Sequence, residues 1–215
     1  MATLISRKKK FVFIHIYKVA GHSVNEVLEG YEEWNRVKKA SRFLWRFSLL
    51  RMPGLRGALG LKNIYPVLDH AMARDIKPLL PDYDSYFKFC FVRNPWDWQV
   101  SLYHFASQRW YTRSHKQTAE RTFDEYIRWR CDGNFRLQKD FITDYDGAML
   151  VDYVGKMETI EADFAHVCER LNIRNTLRHL NRSDHRGYRS YYSDETRDLV
   201  ARTFREDIEA FGYSF

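Results

Sequence analysis

The sequence predicts an α/β fold in three layers, a central, mostly parallel β-sheet flanked by helices. Three observations carry this. Phe11-Val-Phe-Ile-His-Ile16 is an apolar run rich in β-formers without strict alternation, which suits a strand covered on both faces, and it passes through a turn holding Gly21 into a segment of helical spacing. The same order returns at 85–92, a second β-rich run that ends at Asn94-Pro95. A long amphipathic stripe closes the chain. Strands that alternate with helices imply parallel pairing, with ligands at the carboxyl ends of the strands.

The first helix is expected over Ser23–Glu29, where Val24, Val27 and Leu28 share a face. Another is expected to begin at Asp69-His-Ala-Met-Ala-Arg-Asp75. Asn94 is placed to cap the helix after the second strand, with Pro95 at its first position, where the missing amide proton has no helical partner to lose. Thr122-Phe-Asp-Glu125 has capping-box spacing, a strand is expected at Met149–Gly155, and a helix at Ile160–Leu171. In the last helix Leu199, Val200, Thr203, Phe204, Ile208 and Phe211 form one stripe between Ser193 as N-cap and Gly212 as stop.

The 215 residues, 45% hydrophobic and 29% charged, read as one globular domain over 1–215 with no internal repeat. The first ten residues lack the layout of a signal peptide, and no run approaches the roughly 18 apolar residues of a membrane span, so a cytoplasmic protein is expected. Cys90, Cys131 and Cys168 have no paired spacing, which argues against a disulfide framework or a zinc site. The net charge of +7 points to anionic partners. It is concentrated: from Trp34 to Leu68 there is no acidic residue, while Arg36, Lys38, Lys39, Arg42, Arg46, Arg51, Arg56 and Lys62 fall inside. A helix there would put Phe43, Phe47 and Leu50 on one face with Arg42 and Arg46 beside it, a basic insertion or lid at 34–68 suited to an anionic acceptor or peripheral membrane contact. No nucleic-acid-binding signature accompanies the charge.

Two loops carry chemistry. Ile16-Tyr-Lys-Val-Ala-Gly-His-Ser-Val24 sets a lysine, a glycine and a hydroxyl between a buried strand and a helix N-terminus, where outward amides and the helix dipole favour an anion. It is not the Walker arrangement, because the lysine precedes the glycine, and alone it reads equally as a plain strand-to-helix turn. In Phe91-Val-Arg-Asn-Pro-Trp-Asp-Trp-Gln-Val-Ser101, Arg93 at a strand end can hold a phosphate bidentately, with Ser101 reaching it from the second helical turn. Singly, these would be a salt-bridged arginine and a solvated serine.

Taken together the two segments resemble the sulfotransferases that use 3′-phosphoadenosine 5′-phosphosulfate (PAPS), particularly the carbohydrate branch of heparan and chondroitin enzymes with its small bacterial relatives. The tail shares the likeness through Val151-Asp-Tyr-Val-Gly155, Asn181-Arg-Ser-Asp-His185, Tyr188-Arg-Ser-Tyr-Tyr192 and Phe211-Gly-Tyr213. The resemblance implies a P-loop-like three-layer fold, PAPS as co-substrate with PAP as product, no metal, and in-line sulfonate transfer to the hydroxyl of a carbohydrate or glycan-like acceptor. It assigns Lys18, Ala20, Gly21, His22, Ser23 and Val24 to the 5′-phosphosulfate loop, and Arg93 and Ser101 to the 3′-phosphate. It places Tyr188 and Arg189, with Ser183, His185 and Arg186, in a loop that closes over the nucleotide. Lys18 would stabilise charge on the leaving oxygen and His70 would be the general base, with His22 and then Asp69 behind it. Tyr17, Val19 and His22 depart from the family's usual proline, threonine and small hydroxyl residue. Gln138, Trp96, Trp98, Tyr103 and Phe105 line an acceptor cleft in one reading and belong to the core in another.

Two further readings stand beside this one. A P-loop kinase would need Mg²⁺ and a hydroxyl directly after the lysine, where Val19 stands instead. A non-enzymatic module for anionic glycan or lipid headgroups would use the altered loop and the basic stretch without turnover.

Overall fold

The computed structural model describes residues 3–19, 21–31, 70–108, 118, 120–133, 135–174, 177 and 187–215. The basic 34–68 stretch, Ala20, Asp69, residues 181–186 and the His22 side chain lie outside the described residues.

Four strands form one sheet in the order β1 (Leu4–Ser6), β2 (Phe11–Ile14), β3 (Phe87–Val92), β4 (Tyr153–Lys156). β2, β3 and β4 are parallel, with Phe11 opposite Phe87 and Phe89 opposite Tyr153, while β1 pairs antiparallel to β2. All four β2 residues are fully buried, which is why their sequence shows no alternation. The alternation is instead in ring contacts: Phe13 stacks on Phe89 with centroids 5.3 Å apart, and Phe91 meets both edge-on. Gly155 on β4 permits this packing, since a Cβ there would come within 2.5 Å of the Phe91 ring.

Helices flank the sheet: α1 (Gly21–Leu28), α2 (Ala73–Ile76), α3 (Pro95–Gln108), α4 (Phe123–Asp132), α5 (Ile160–Leu171), α6 (Asp194–Thr203) and α7 (Arg205–Phe211). Phe164 of α5 covers Phe91. The expected caps form. Asn94 Oδ1 accepts from the Trp96 amide at 3.1 Å, and Thr122 and Glu125 exchange reciprocal bonds at the start of α4. Ser193 caps α6, and Gly212 ends α7 in the left-handed region at φ 62°.

The structure corrects five boundaries. β1 was unexpected, because a three-residue strand beside four consecutive basic residues leaves too short a pattern to read. β4 begins at Tyr153, since Met149 lies in an isolated bridge to Thr143 and is half exposed. α1 begins two residues before Ser23, at Gly21. His70 precedes a short α2 rather than opening a helix. The last helix is interrupted at Phe204, which is itself fully buried, so the apolar stripe continues across the break. Among the described residues, no helix is long and apolar enough to cross a membrane.

Candidate active site

β2 and β3 are parallel neighbours, so the residues that leave their carboxyl ends emerge side by side. One set is His15 to Val19, the other Arg93 and Asn94. Arg93 is buried, and its Nε donates to Asp97 Oδ2 at 2.7 Å while Nη1 reaches the Lys18 carbonyl at 3.4 Å. Asp97, Ser101 and Phe105 follow at intervals of four, which puts them on one face of α3. Lys18 Nζ lies 4.5 Å from the centre of the Phe105 ring. Lys18 therefore touches Arg93 through its carbonyl and the far end of that helical face through its ammonium, with buried Ser101 on the same line between them.

The loop is fixed at several points. Trp98 Nε1 donates to the Tyr17 carbonyl at 2.8 Å, and the Tyr17 ring packs on Trp98 and Phe141. Burial pushes the Tyr17 hydroxyl up from its ordinary value, so it stays protonated. Val19 is fully buried. Lys18 adopts φ 65°, a left-handed conformation uncommon for a long side chain and concentrated at functional sites. Gly21, His22, Ser23 and Val24 then form the first turn of α1, whose amide groups have no helical acceptor of their own. The glycine answers a packing demand: a Cβ on Gly21 would lie 1.8 Å from His15 Nε2.

His15 is the hinge of a second contact. His70, at φ 56°, places its Nδ1 3.1 Å from the His15 carbonyl, and the two rings lie 4.7 Å apart. A carbonyl oxygen only accepts, so Nδ1 carries the proton, and in the neutral ring Nε2 keeps a lone pair. The Tyr17 ring is edge-on to His70 at 5.6 Å. A histidine thus sits against the lysine loop.

The chain end packs on the Arg93–Trp96 corner. Asn94 Nδ2 donates to the Ser214 carbonyl at 2.8 Å and lies 3.5 Å from the Tyr188 hydroxyl, and the Asn94 amide donates to Glu158. Phe215 meets Trp96, Tyr188 and Tyr192 edge-on. Arg189 is exposed and donates to the Phe215 carbonyl at 3.0 Å.

A model of the sulfotransferase family matches residues 1–214. The chain belongs to the sulfotransferase family. An uncharacterized protein of Archaeoglobus fulgidus is 31% identical over 94 residues, 42% of this chain and 72% of its own. No solved structure matches. In this member of the sulfotransferase family Lys18 meets Arg93 and His70 meets His15 at the end of β2, Ser23 lies in the first turn of α1 and Ser101 on α3, and Tyr188 reaches Asn94, while Arg189 faces the chain end.

Gln138 does not line a cleft. It is fully buried, and its amide pairs with both polar groups of the Arg93 peptide, accepting from N at 2.9 Å and donating to O at 2.8 Å. Trp96 and Trp98 are core residues. Sequence reasoning missed His15, Asp97 and Asp207. Asp207 accepts from the amides of Gln138 and Lys139 at 2.8 and 2.9 Å, and burial lifts its carboxyl to about 6. A signal for it existed, because Asp207 is three residues beyond Phe204, on the buried stripe.

Proposed function

We propose that the chain is a PAPS-dependent sulfotransferase that moves a sulfonate group onto a hydroxyl of a carbohydrate or glycan-like acceptor by in-line displacement, on a P-loop-like scaffold. The observation that carries this reading is the meeting of the two loops, with Arg93 Nη1 at 3.4 Å from the Lys18 carbonyl and Ser101 on the helical face they share. The residues fit a nucleotide with two anionic ends: Arg93 and Lys18 meet, the N-terminus of α1 follows the lysine, and Ser23 and Ser101 lie on the two helices concerned. PAPS supplies the activated sulfonate and a stable bisphosphate leaving group.

The chain's own residues supply position and charge. Asp97 holds Nε of Arg93 and the Lys18 carbonyl takes one Nη1 hydrogen, so Nη2 with the other Nη1 hydrogen faces the 3′-phosphate. The first-turn amides of α1, from Gly21 to Val24, receive the 5′-phosphate, and Ala20 precedes them. The Lys18 ammonium neutralises charge that develops on the leaving oxygen. Nε2 of His70 takes the proton of the acceptor hydroxyl, a contribution of about a hundred- to ten-thousand-fold. Tyr188 and Arg189 border the nucleotide from the Asn94 side. The acid-free basic stretch at 34–68 supports an anionic acceptor, or an acceptor on an anionic membrane surface.

The test is thermal stabilisation by PAP without metal, against ATP with Mg²⁺. At a hundredfold excess over Kd, PAP should stabilise by about 2.7 kcal/mol, a rise of roughly 5–10 °C for a chain of this length. Stabilisation by ATP with Mg²⁺ alone would replace the reading with a kinase. Labelled PAPS with a panel of glycans then measures transfer, and PAP binding without transfer to any of them would favour a binding module.

A further inference from the structure

β3 stops at Val92 and α3 begins at Pro95, so the Arg93 peptide lies between the sheet ladder and the helix. Its N–H and C=O are buried and need partners from elsewhere. Both are supplied by one side chain, the primary amide of Gln138, which offers an acceptor and a donor side by side as a neighbouring strand would. A carboxylate would accept but not donate, and a serine or threonine hydroxyl is too short to span both groups. Among the described residues, the hydrogen bonds of the Gln138 side chain all go to Arg93.

Gln138 is itself anchored. Asp207, wholly buried on α7, accepts from the Gln138 amide and the next one with its two oxygens, and Asp140 Oδ2 accepts from the Leu137 amide. The chain of contacts runs from α7 through Gln138 to the Arg93 backbone, and Asp97 separately holds the guanidinium that this backbone carries.

We infer that Gln138 is a positioning residue for donor binding: by clamping both polar groups of the Arg93 peptide it fixes the Arg93 side chain in line with Lys18 and Ser101. This rests on the donor site proposed above. Gln138 touches no reacting group, so its effect must pass entirely through Arg93, and that is what separates it from a residue that only stabilises the core.

The experiment measures PAP affinity by calorimetry on the full chain, well below the melting midpoint of each variant. Gln138→Met keeps length and removes both bonds. It should weaken PAP binding about tenfold to a hundredfold, the range seen when an outer partner of a binding residue is lost, and leave the acceptor KM unchanged. Gln138→Glu keeps only the acceptor and carries the same test if Gln138→Met does not fold. In the Arg93→Ala background, Gln138→Met should weaken PAP binding no further, because the residue it positions is gone. Phe11→Leu, fully buried at the opposite end of the parallel strands, where Phe11 pairs with Phe87, should lower the melting midpoint without changing PAP affinity. Wild-type affinity in a folded Gln138 variant, or additive losses in the double variant, would overturn the inference. Failure of the parent chain to bind PAP would instead remove the donor site itself, and the inference with it.

Discussion

Asp207 links the stability of this protein to pH in a direction opposite to that of an ordinary surface carboxylate. It is fully buried, and burial lifts its carboxyl from the usual 3.8 to about 6 although two backbone amides bond to it. The folded state therefore binds the proton more tightly than the unfolded chain. The resulting stability is fully present below pH 3.8 and is lost as pH rises through about 6. A shift of about two units corresponds to about 3 kcal/mol, of which about 1.3 kcal/mol is lost between pH 5 and 7. Asp207→Asn removes the titration. It keeps an oxygen for one amide and leaves the other opposed to an NH₂ group, which costs about 1–3 kcal/mol. At pH 7 the variant should therefore match or exceed the parent, and between pH 7 and pH 5 the difference should move against the variant by about 1.3 kcal/mol. Urea unfolding of both proteins at pH 5 and 7 reads the difference directly. Parallel pH dependence in parent and variant would refute the argument, since it would mean that Asp207 titrates alike folded and unfolded.

Three other outcomes are expected. His70→Asn retains a donor for the His15 carbonyl but no base, so turnover should fall about a hundredfold or more while PAP affinity holds; undiminished turnover would transfer the base role to another group. Gly21→Ala should cost about 1–3 kcal/mol through the clash of its Cβ with the His15 ring, and His15→Ala in the same chain should recover part of it, as measured by the urea midpoint; additive losses would dismiss that contact. Arg42→Glu with Arg46→Glu should reduce binding to an anionic glycan or to vesicles of anionic lipid and leave PAP affinity alone, and if neither binding changes, the basic stretch has no role in recognition.

The amino-acid sequence determined the parts of this protein that depend on neighbours within a few residues. The fully buried β2 shows as an unbroken apolar run, α5 has the bounds its 3.6-residue pattern demands, and Asn94, Thr122, Ser193 and Gly212 mark helix ends through bonds to groups two to four positions away. Lys18 and Arg93 were legible for the same reason, because each follows a strand in the chain. What surrounds them was decided only by the tertiary structure. Gln138 lies 45 residues from Arg93 and 69 from Asp207, and nothing in its irregular local sequence distinguishes it from a surface glutamine. His15 and His70 meet across 55 residues, which turns an expected helical histidine into one held in a left-handed turn by a strand-end carbonyl. Even Gly21, read as a loop residue for an anion, is required by an imidazole ring that packs against its Cα. Periodicity and capping are local interactions and are written in order along the chain. Pairing of buried polar groups is a condition on the packed interior, where each unpaired donor costs about 1–3 kcal/mol, and it is met by whichever side chain the sheet and helices bring into reach.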